Sequence, residues 1–402
     1  MEEAVKEINE SPALDREATR TTWDAIVIGA GPAGSLAATQ LALAGLQTLL
    51  IDAKQFPREK VCGGYLNSRA LETLRQAGLA HVTGDDRESQ VTQLELIRGR
   101  QRTRFRLPPG RVICRTTFDT VLMDAAMTAG AKVLTGAQAT VEPAVQDATR
   151  RITVVQDGRQ ESLSARVVIC ADGLSRTSVR HLPECAGSIA PNSRVGIGAV
   201  VTGHFDVCPI GQLTMVLSRH GYVGISRVRE HEYNVAAAVD RQALLRTSPA
   251  KIVAGILTDA GISFPSDLMS AHWRGTPPLT SRPKHVAAER VLLIGDAGGY
   301  IEPFTGEGMA FALEAAAAIT PLAAEAVQSW RPAIAESWEM LHREMIRDRQ
   351  RTCQQLAWIL RRPWAAFLTV GICRVLPGIA ERLIDRTNFP TNHCRPAGIG
   401  TT

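Results

Sequence analysis

The sequence predicts an α/β protein in which a Rossmann-like dinucleotide-binding domain carries an inserted α+β domain with a mixed β-sheet and is followed by a helical C-terminal region. Three observations support this fold class. A strand–glycine–helix–strand unit begins near residue 25, and a second strand–glycine–helix unit begins near residue 290. From about 188 to 272, helical periodicity gives way to short β-rich runs that are typical of antiparallel strands.

The first unit has the pattern of a nucleotide-binding turn. Ala25–Ile28 is apolar and β-branched, as expected of a strand buried on both faces of a parallel sheet. Gly29, Gly31 and Gly34 follow in G-x-G-x-x-G spacing. The first glycine allows a tight turn, the second lets a pyrophosphate approach the backbone, and the third lets the helix pack on the strand. The helix that includes Ala33 directs its N-terminal amides at the diphosphate.

An acidic residue closes the second strand of this unit. The strand ends on Asp52, which precedes Ala53 and lies about 20 residues after the glycines. A carboxylate at this point accepts hydrogen bonds from a ribose diol. The unit therefore predicts a bound dinucleotide without distinguishing NAD from FAD. The alternative is a glycine-rich turn beside a solvated Asp52.

The late unit points to FAD. Arg290–Ile294 is expected to be a buried strand, and the helix after it is expected to end at about Thr320, before Pro321. An acid directly after the strand can bind a ribityl hydroxyl, and the helix N-terminus can face an electron-rich ring edge. NAD has neither a ribityl chain nor an isoalloxazine ring. The predicted cofactor contacts are Gly295, Asp296, Pro303, Gly306, Gly308 and Met309.

Other predicted site residues lie where strands of such a sheet end. Arg115 follows the strand end at Cys114, where a guanidinium can reach a phosphate or ribose, and the alternative is a surface ion pair. Asp172 and Gly173 follow an apolar strand that ends at Cys170, at the edge where α/β sheets bind ligands.

Proton donors are harder to recognise. A loop with Pro57 and a pair of glycines holds Lys60 and Cys62, whose alternatives are a solvated charge and a buried thiol without chemistry. Tyr222, in a β-rich run, is the second candidate catalytic residue, and a purely structural role is its alternative. No metal site is predicted.

Composition limits the function. The chain has 402 residues, a net charge of +5 and charges that look dispersed, so we expect no nucleic-acid partner. The eight cysteines form no C-x-x-C pair, and the acidic N-terminus has no apolar run, so we expect reduced thiols and a cytoplasmic protein. The C-terminal part combines basic residues with an apolar stripe, which suggests either a helical cap on the other domains or peripheral contact with a membrane.

The predicted domain organisation follows from these patterns. We expect a mobile extension, a discontinuous FAD-binding domain, a substrate domain made of two insertions, and a helical C-terminal region. The predicted extension spans 1–22, and the C-terminal region spans 331–402. The FAD-binding domain consists of 23–90, 108–187 and 280–330, and the substrate domain consists of 91–107 and 188–279.

The motifs "GAGPAG", "CRTTFD", "ADG" and "GDAGGYIEPFTGEGM" together resemble those of FAD-dependent oxidoreductases with the para-hydroxybenzoate hydroxylase fold. This resemblance covers roughly Ala25 to Ala326. It implies that the glycines of the first unit bind the pyrophosphate and Asp52 the adenosine ribose. It also implies that Arg115 and Asp296 contact the phosphate, ribose or ribityl part, and that the loop ending at Met309 lines the flavin ring.

The segment "FPREKVCGGYLNSRALETL" is more similar to the geranylgeranyl-reductase branch, in which a Cys-Gly-Gly loop lies near the flavin. Cys62, Gly63 and Gly64 match that loop. Tyr222 matches the first residue of a Tyr-x-Trp motif that lines the isoprenoid cavity of that branch, whereas Gly224 replaces the Trp.

Three functions follow from this resemblance. We favour NAD(P)H- and O2-dependent hydroxylation of an aromatic or polyketide-like molecule of secondary metabolism. The alternative is reduction of C=C bonds in a lipid or isoprenoid, and a third is an electron-carrying flavoprotein. NAD(P)H is expected to bind transiently, because the chain has no second G-x-G-x-x-G.

Overall fold

The computed structural model describes residues 21–84, 87–145, 147–302 and 306–345. The predicted contact Pro303, the N-terminal extension up to residue 20 and the amphipathic C-terminal segment from 346 onward lie outside the described residues. The predicted fold class is confirmed, because the described chain forms two large sheets with helices packed on them.

The first sheet has eight strands around a parallel core, in the order β17-β18-β9-β1-β2-β6. The hairpin of β7 and β8 joins it through β9. Ile28 pairs with Ile51 on one side and Cys170 on the other, so these parallel strands end at one edge. The strands are β1 Thr22–Ile28, β2 Thr48–Asp52, β6 Lys132–Thr135, β7 Ala137–Val141, β8 Arg150–Gln156, β9 Arg159–Cys170, β17 Ala287–Ala288 and β18 Val291–Leu293.

Four helices belong to this sheet: α1 Pro32–Leu43, α2 Ser68–Gln76, α3 Arg115–Thr128 and α7 Gly308–Gln328. Short 3₁₀ turns span Ala80–Thr83, Arg87–Ser89 and Gly295–Gly298. The main hydrophobic core forms where α1 packs on β1 and β2, α7 packs on β1 and β9, and α3 packs on α1.

The prediction that the last of these helices ends before Pro321 is wrong, because α7 continues through that proline to Gln328. Proline costs the helix one backbone hydrogen bond. Burial of Ala323, Ala326 and Val327 on the far side of the proline offsets that loss. Among the described residues, α7 is also the one helix long and apolar enough to cross a membrane, and half of its most apolar window is buried inside the molecule. That burial is typical of a core helix.

The second sheet also has eight strands, in the order β15-β11-β14-β13-β12-β4-β5-β3. β12 and β4 pair in parallel and the other neighbours are antiparallel. The strands are β3 Tyr65–Leu66, β4 Gln90–Arg98, β5 Gln101–Val112, β11 Val195–Thr202, β12 Gln212–Ser218, β13 Gly221–Arg229, β14 Glu232–Val239 and β15 Arg274–Pro278. A separate two-stranded ribbon joins β10 Gly187–Ile189 to β16 Ser281–Pro283.

The two insertions predicted for the substrate domain therefore meet in one sheet. β5 runs five residues beyond 107, the boundary expected from sequence, and β3 adds two more residues from the segment expected in the FAD-binding domain. The helices attached to this sheet are α4 Arg241–Leu244, α5 Pro249–Asp259 and α6 Asp267–Ser270.

The two faces of the second sheet differ in character. One face packs beneath α5 and forms its own hydrophobic core around Ile97, Val216, Val223 and Val235. The other face carries small residues in its central strands, because Gly196, Gly198, Gly224, Ala236 and Ala238 share that side of the pleat. The small residues leave a hollow that faces the first sheet.

The described part of the C-terminal region, residues 332–345, is a helix, α8, on the outside of the first sheet. The indole of Trp338 is buried and donates to the carbonyl of Leu293, at the end of β18. His342 stacks edge-on against Trp338, and its Nε2 lies 2.8 Å from the point where a side chain on Gly298 would begin. α8 therefore supports the turn that follows β18.

Protonation of His342 is expected to destabilise the folded protein in acid. Burial lowers the pKa of its imidazole to about 4, from 6.5, and Nε2 has no hydrogen-bond partner among the described residues. The unfolded chain takes up a proton below pH 6.5, whereas the folded chain does so only near pH 4. Stability should fall by about 3 kcal/mol as the pH drops through this window.

Urea unfolding of the wild type and of a His342→Met variant between pH 7.5 and pH 4 measures this loss. The difference between the two curves isolates the histidine from the carboxylates, which titrate in both proteins. Parallel curves would contradict the prediction.

Candidate functional site

A cavity of about 640 Å³ lies between the first sheet's strand ends and the hollow face of the second sheet. Its nearer wall comes from the turns after β1, β2, β9 and β18, and its farther wall from β11, β12, β13 and β14. Every described residue in the predicted cofactor set except Gly34 borders this cavity, and so do the two candidate catalytic residues.

The glycines after β1 have distinct steric roles. Gly29 has φ +105°, and a side chain there would begin 2.5 Å from the carbonyl oxygen of Ala171. A side chain on Gly34 would begin 1.7 Å from the carbonyl oxygen of Gly29, so only glycine allows α1 to pack this closely. At Gly31 the nearest atom, on Arg58, is 3.6 Å away. The first and third glycines serve packing, and the second leaves room for a ligand.

Helix α1 meets this opening with its amides free of any side-chain cap. Gly31 occupies the N-cap position, Pro32 begins the helix, and no described side chain accepts a hydrogen bond there. Ala33 lines the cavity in this first turn. Uncapped amides and the positive end of the helix dipole form a binding site for an anion such as a diphosphate.

Asp52 lies at the end of β2 and is held in place by the backbone. One carboxylate oxygen accepts the N–H of Ala30 at 2.8 Å, and the other accepts the N–H of Lys54 at 2.9 Å. Arg58 approaches the first oxygen at 3.5 Å. Asp52 and Ala53 border the cavity, so the carboxylate is oriented where a ribose diol can donate to it.

A buried cluster of charges occupies the middle of the near wall. Arg115 pairs with Asp119 through two hydrogen bonds of 2.8 Å each, and Arg58 contacts the same carboxylate at 3.4 Å. The ion pair considered as an alternative role for Arg115 therefore exists, but it is buried and borders the cavity. Burial alone lowers the pKa of Arg115, but the charges and hydrogen bonds of Asp119 and Cys62 together raise it above the usual value.

Lys60 and Asp296 face each other across this cluster. Lys60 is exposed to the open cavity, although protein surrounds its side chain. This burial lowers the pKa of its amine, and the charges of the nearby Arg115 and Arg58 lower it further. Burial raises the pKa of Asp296, while the charges of Lys60 and Arg115 oppose that rise. Nothing in the sequence marks Arg58 as a site residue, and a solvated charge was the alternative role for Lys60. The structure places both side chains on the cavity.

Asp172 and Gly173 form the turn after β9. One oxygen of Asp172 accepts the N–H of Ser178 at 2.8 Å and the hydroxyl of Thr177 at 3.2 Å. The other oxygen is buried without a hydrogen-bond partner among the described residues, and burial raises the pKa of this carboxyl. A buried acceptor that borders the cavity without a partner fits a ligand hydroxyl or amide.

The turn and helix after β18 complete the near wall. Gly295 has φ +58°, and a side chain there would begin 3.0 Å from Ala33, so this turn touches the first turn of α1. Gly306 has φ +72° and packs against the ring of Tyr65, and Gly308 packs against Tyr300. Met309 follows in the first turn of α7, which has no side-chain cap among the described residues. A second uncapped helix thus faces the cavity.

Cys62 lies between the near wall and the second sheet. Its sulfur accepts the N–H of Gly64 at 3.4 Å and interacts with the guanidinium of Arg115. Ser226 on β13 donates to the carbonyl of Gly63 at 2.7 Å, which fastens the loop to the second sheet. Tyr222 is on the far wall, with the guanidinium of Arg194 5.9 Å from its ring centre.

These features of the near wall fit FAD. The open space at Gly31, the uncapped starts of α1 and α7, and the carboxylates of Asp52, Asp172 and Asp296 are suited to its diphosphate, ribose and ribityl groups. Within the described ranges, no group of three or more His, Cys, Asp or Glu side chains could hold a metal ion.

Relatives of the chain include two proteins named as reductases. Menaquinone reductase of Mycobacterium tuberculosis is 29% identical over 317 residues, which cover 72% of this chain and 74% of the relative. Digeranylgeranylglycerophospholipid reductase of Methanosarcina acetivorans is 26% identical over 324 residues, which cover 76% of each chain.

Solved structures of flavoenzymes share the fold. A variant of the flavin-dependent brominase Bmp2 superposes with a TM-score of 0.75 at 18% identity, covering 92% of this chain and 96% of the brominase. A variant of halogenase PltM in complex with FAD gives a TM-score of 0.72 at 15% identity, covering 91% of this chain and 86% of the halogenase.

The model of the FAD-binding-domain family matches residues 22–333, which include both glycine units and the second sheet between them. The early unit and the late unit border the same cavity, the arrangement expected if both hold one cofactor. This chain belongs to the family defined by that FAD-binding domain, and it is an FAD-dependent oxidoreductase.

Proposed function

We propose that this protein is an FAD-dependent reductase that saturates a C=C bond in an apolar, lipid-like molecule. The observation that carries the proposal is the cavity itself, which continues from its near wall onto an apolar face of the second sheet. The near wall, made by the turns after β1, β2, β9 and β18, is the wall suited to FAD, and we call it the cofactor wall. The relatives add support, since two of them are named as reductases of menaquinone and of a digeranylgeranyl phospholipid.

The far wall is suited to a hydrocarbon. Leu213, Met215 and Leu279 supply apolar surface, and Gly224 supplies none of its own. A side chain on Gly224 would begin 3.0 Å from the sulfur of Met215, so the glycine keeps open a space that a larger residue would fill. Apolar walls with a few polar groups are typical of small-molecule sites, and here the charged side chains lie on the cofactor side.

Saturating a C=C bond requires a hydride for one carbon and a proton for the other. Bound reduced FAD supplies the hydride. The chain must hold the substrate, exclude water and donate the proton. Cys62 is the better placed of the two predicted donors, because it lies between the cofactor wall and the apolar wall. The guanidinium of Arg115 beside its sulfur would stabilise the thiolate that proton donation leaves behind.

The proposal predicts that product forms without O2. Purified protein with bound FAD, reduced with dithionite under nitrogen, should saturate a polyprenyl substrate that has no quinone ring, such as a geranylgeranyl lipid. Mass spectrometry should then find a gain of two hydrogens for each bond reduced. The matched control is the same protein with oxidised FAD, which should leave the substrate unchanged. Product that requires O2 and gains oxygen would contradict the proposal.

Hydroxylation, the function favoured from sequence, stays a prediction that the same experiment tests. An aromatic hydroxylase profits from a base that ionises the ring hydroxyl. Among the described residues, no histidine borders the cavity, and His220 is exposed outside it. The electron-carrier function, the NAD(P)H donor, the lack of a nucleic-acid partner and the cytoplasmic location also stay predictions.

A further inference from the structure

The β4–β5 hairpin concentrates the positive charge of the chain. Between Gln90 and Val112 the sequence has six arginines against a single glutamate, a formal charge of +5, which equals the net charge of all 402 residues. The charges of all other residues therefore sum to zero. The six arginines are Arg98, Arg100, Arg102, Arg104, Arg106 and Arg111.

Most of this charge is unpaired. Arg104 binds Glu95, and Arg111 donates to backbone carbonyls in the preceding loop. Arg100, Arg102 and Arg106 are exposed and make no ion pair with any described residue. Exposed arginines on an edge strand prevent that strand from pairing with the sheet of another molecule. This purpose does not require further arginines outside the strand.

The fold brings further cations to the tip of this hairpin. Arg98 pairs with Leu217 near the end of β12, so Arg219, in the turn after β12, lies at the same end of the sheet. β14 ends beside the start of β13, where Gly221 pairs with Val239. The chain then enters α4. We call this surface the basic end; it consists of Arg98, Arg100, Arg102, Arg219, Arg241, Leu245 and Arg246.

The basic end also exposes an apolar side chain. Leu245 is 80% exposed and lies directly before Arg246, which is exposed as well. In the described turns and helix of this surface, the single acid is Asp240, and Arg194 pairs with it. An exposed leucine among unpaired arginines is the pattern of a surface that rests on a membrane, where arginines meet lipid phosphates and the apolar side chain enters the interface.

The basic end adjoins the substrate cavity. Tyr222, three residues after Arg219, borders the cavity and packs with Leu217 and Leu279. An apolar substrate that dissolves in a bilayer would have a short path from such a surface to the far wall.

We infer that the basic end docks on an anionic lipid surface, from which the cavity receives its substrate. The second half of this inference rests on the proposed function, and the docking does not. A nucleic acid or an acidic protein would match the arginines but would leave the exposed Leu245 without a role.

Vesicle flotation of the full chain tests the docking. The triple variant Arg100→Gln/Arg102→Gln/Arg219→Gln should bind phosphatidylglycerol vesicles roughly a hundredfold more weakly than the wild type, since each arginine near the surface contributes about fivefold. Phosphatidylcholine vesicles should bind neither protein. The matched control is Arg151→Gln/Arg159→Gln/Arg229→Gln, which removes the same charge from other parts of the surface and should bind like the wild type. Leu245→Ser should weaken binding at high salt, where the arginines are screened.

Equal weakening by both triple variants would overturn the inference, because it would point to net charge alone. Undiminished binding of the first triple variant would overturn it as well, since another segment would then be the anchor. So would binding of a DNA duplex, but not of vesicles, that depends on the three arginines. Reduction of detergent-dissolved substrate should be unchanged in the first triple variant, so failure of the proposed reaction is measured separately from failure to dock.

Discussion

Replacing Cys62 with alanine is expected to slow C=C reduction roughly 10²–10⁴-fold, the usual contribution of a general acid. The thiol lies at the boundary between the cofactor wall and the apolar wall, and Arg115 interacts with its sulfur. Of the two predicted donors, Cys62 is the one that lies at this boundary with a guanidinium beside its proton-bearing atom. The rate is measured as reoxidation of reduced FAD by substrate under nitrogen.

Three controls separate the thiol's chemistry from its packing. FAD content and affinity are measured in Cys62→Ala as well, because the sulfur interacts with Arg115 on the near wall, and a rate lost through weaker FAD binding must be told apart from a lost proton donor. Cys62→Ser should recover part of the rate, because a hydroxyl can also donate a proton. Tyr222→Phe should have a smaller effect, since the tyrosine lies on the far wall. A fully active Cys62→Ala variant would exclude the thiol as the donor.

Sequence patterns predicted residues that the structure brings to the near wall of one cavity, because each feature there has a local cause. The roles of Gly29 and Gly34 follow from steric demands within one turn, and both positions would clash with backbone atoms if they carried a side chain. Asp52 and Asp296 each follow directly on a strand, so the topology of a parallel sheet brings them to one edge.

The charge cluster was harder to predict because its contacts are long-range. Arg58 and Lys60 precede Cys62 in a loop that looks solvent-exposed in sequence, and only folding brings them to Asp119 and Asp296. Asp119 lies inside α3, where an acid four residues after Arg115 is also typical of a surface helix pair. Burial decides between these possibilities, and burial is not visible in local sequence.

The same reason explains the continuation of α7 past Pro321. Local propensity predicts an end at the proline, whereas tertiary burial on both sides of it keeps the helix intact. The basic end is a further case, because its arginines come from three separate segments that become neighbours only when β4, β12 and β14 enter one sheet.

An ion pair that secures α7 has the largest effect on stability that we expect from any single charge. Arg69 on α2 is 1% exposed, and its Nε donates to Glu314 on α7 at 2.8 Å. Glu314→Gln should lower the free energy of unfolding by about 3–5 kcal/mol, because it takes from the buried guanidinium the carboxylate to which it donates. Both helices begin near the cavity in which FAD is expected to bind. α2 begins shortly after the loop that holds Cys62, and α7 begins at Gly308, which borders the cavity. FAD affinity should therefore fall as well.

A second glutamate on the same helix provides the matched control. Glu325 pairs with Arg331, but their side chains are 44% and 63% exposed, so Glu325→Gln should cost about 0–1 kcal/mol. Urea unfolding compares the two variants, and FAD fluorescence gives the affinity of each. The double variant Arg69→Met/Glu314→Leu should recover most of the lost stability, because apolar side chains of similar size can replace a buried ion pair. Equal losses in the two single variants would mean that burial gives the Arg69–Glu314 pair no special weight, and α7 would then be held by its alanine-rich packing on α1 alone.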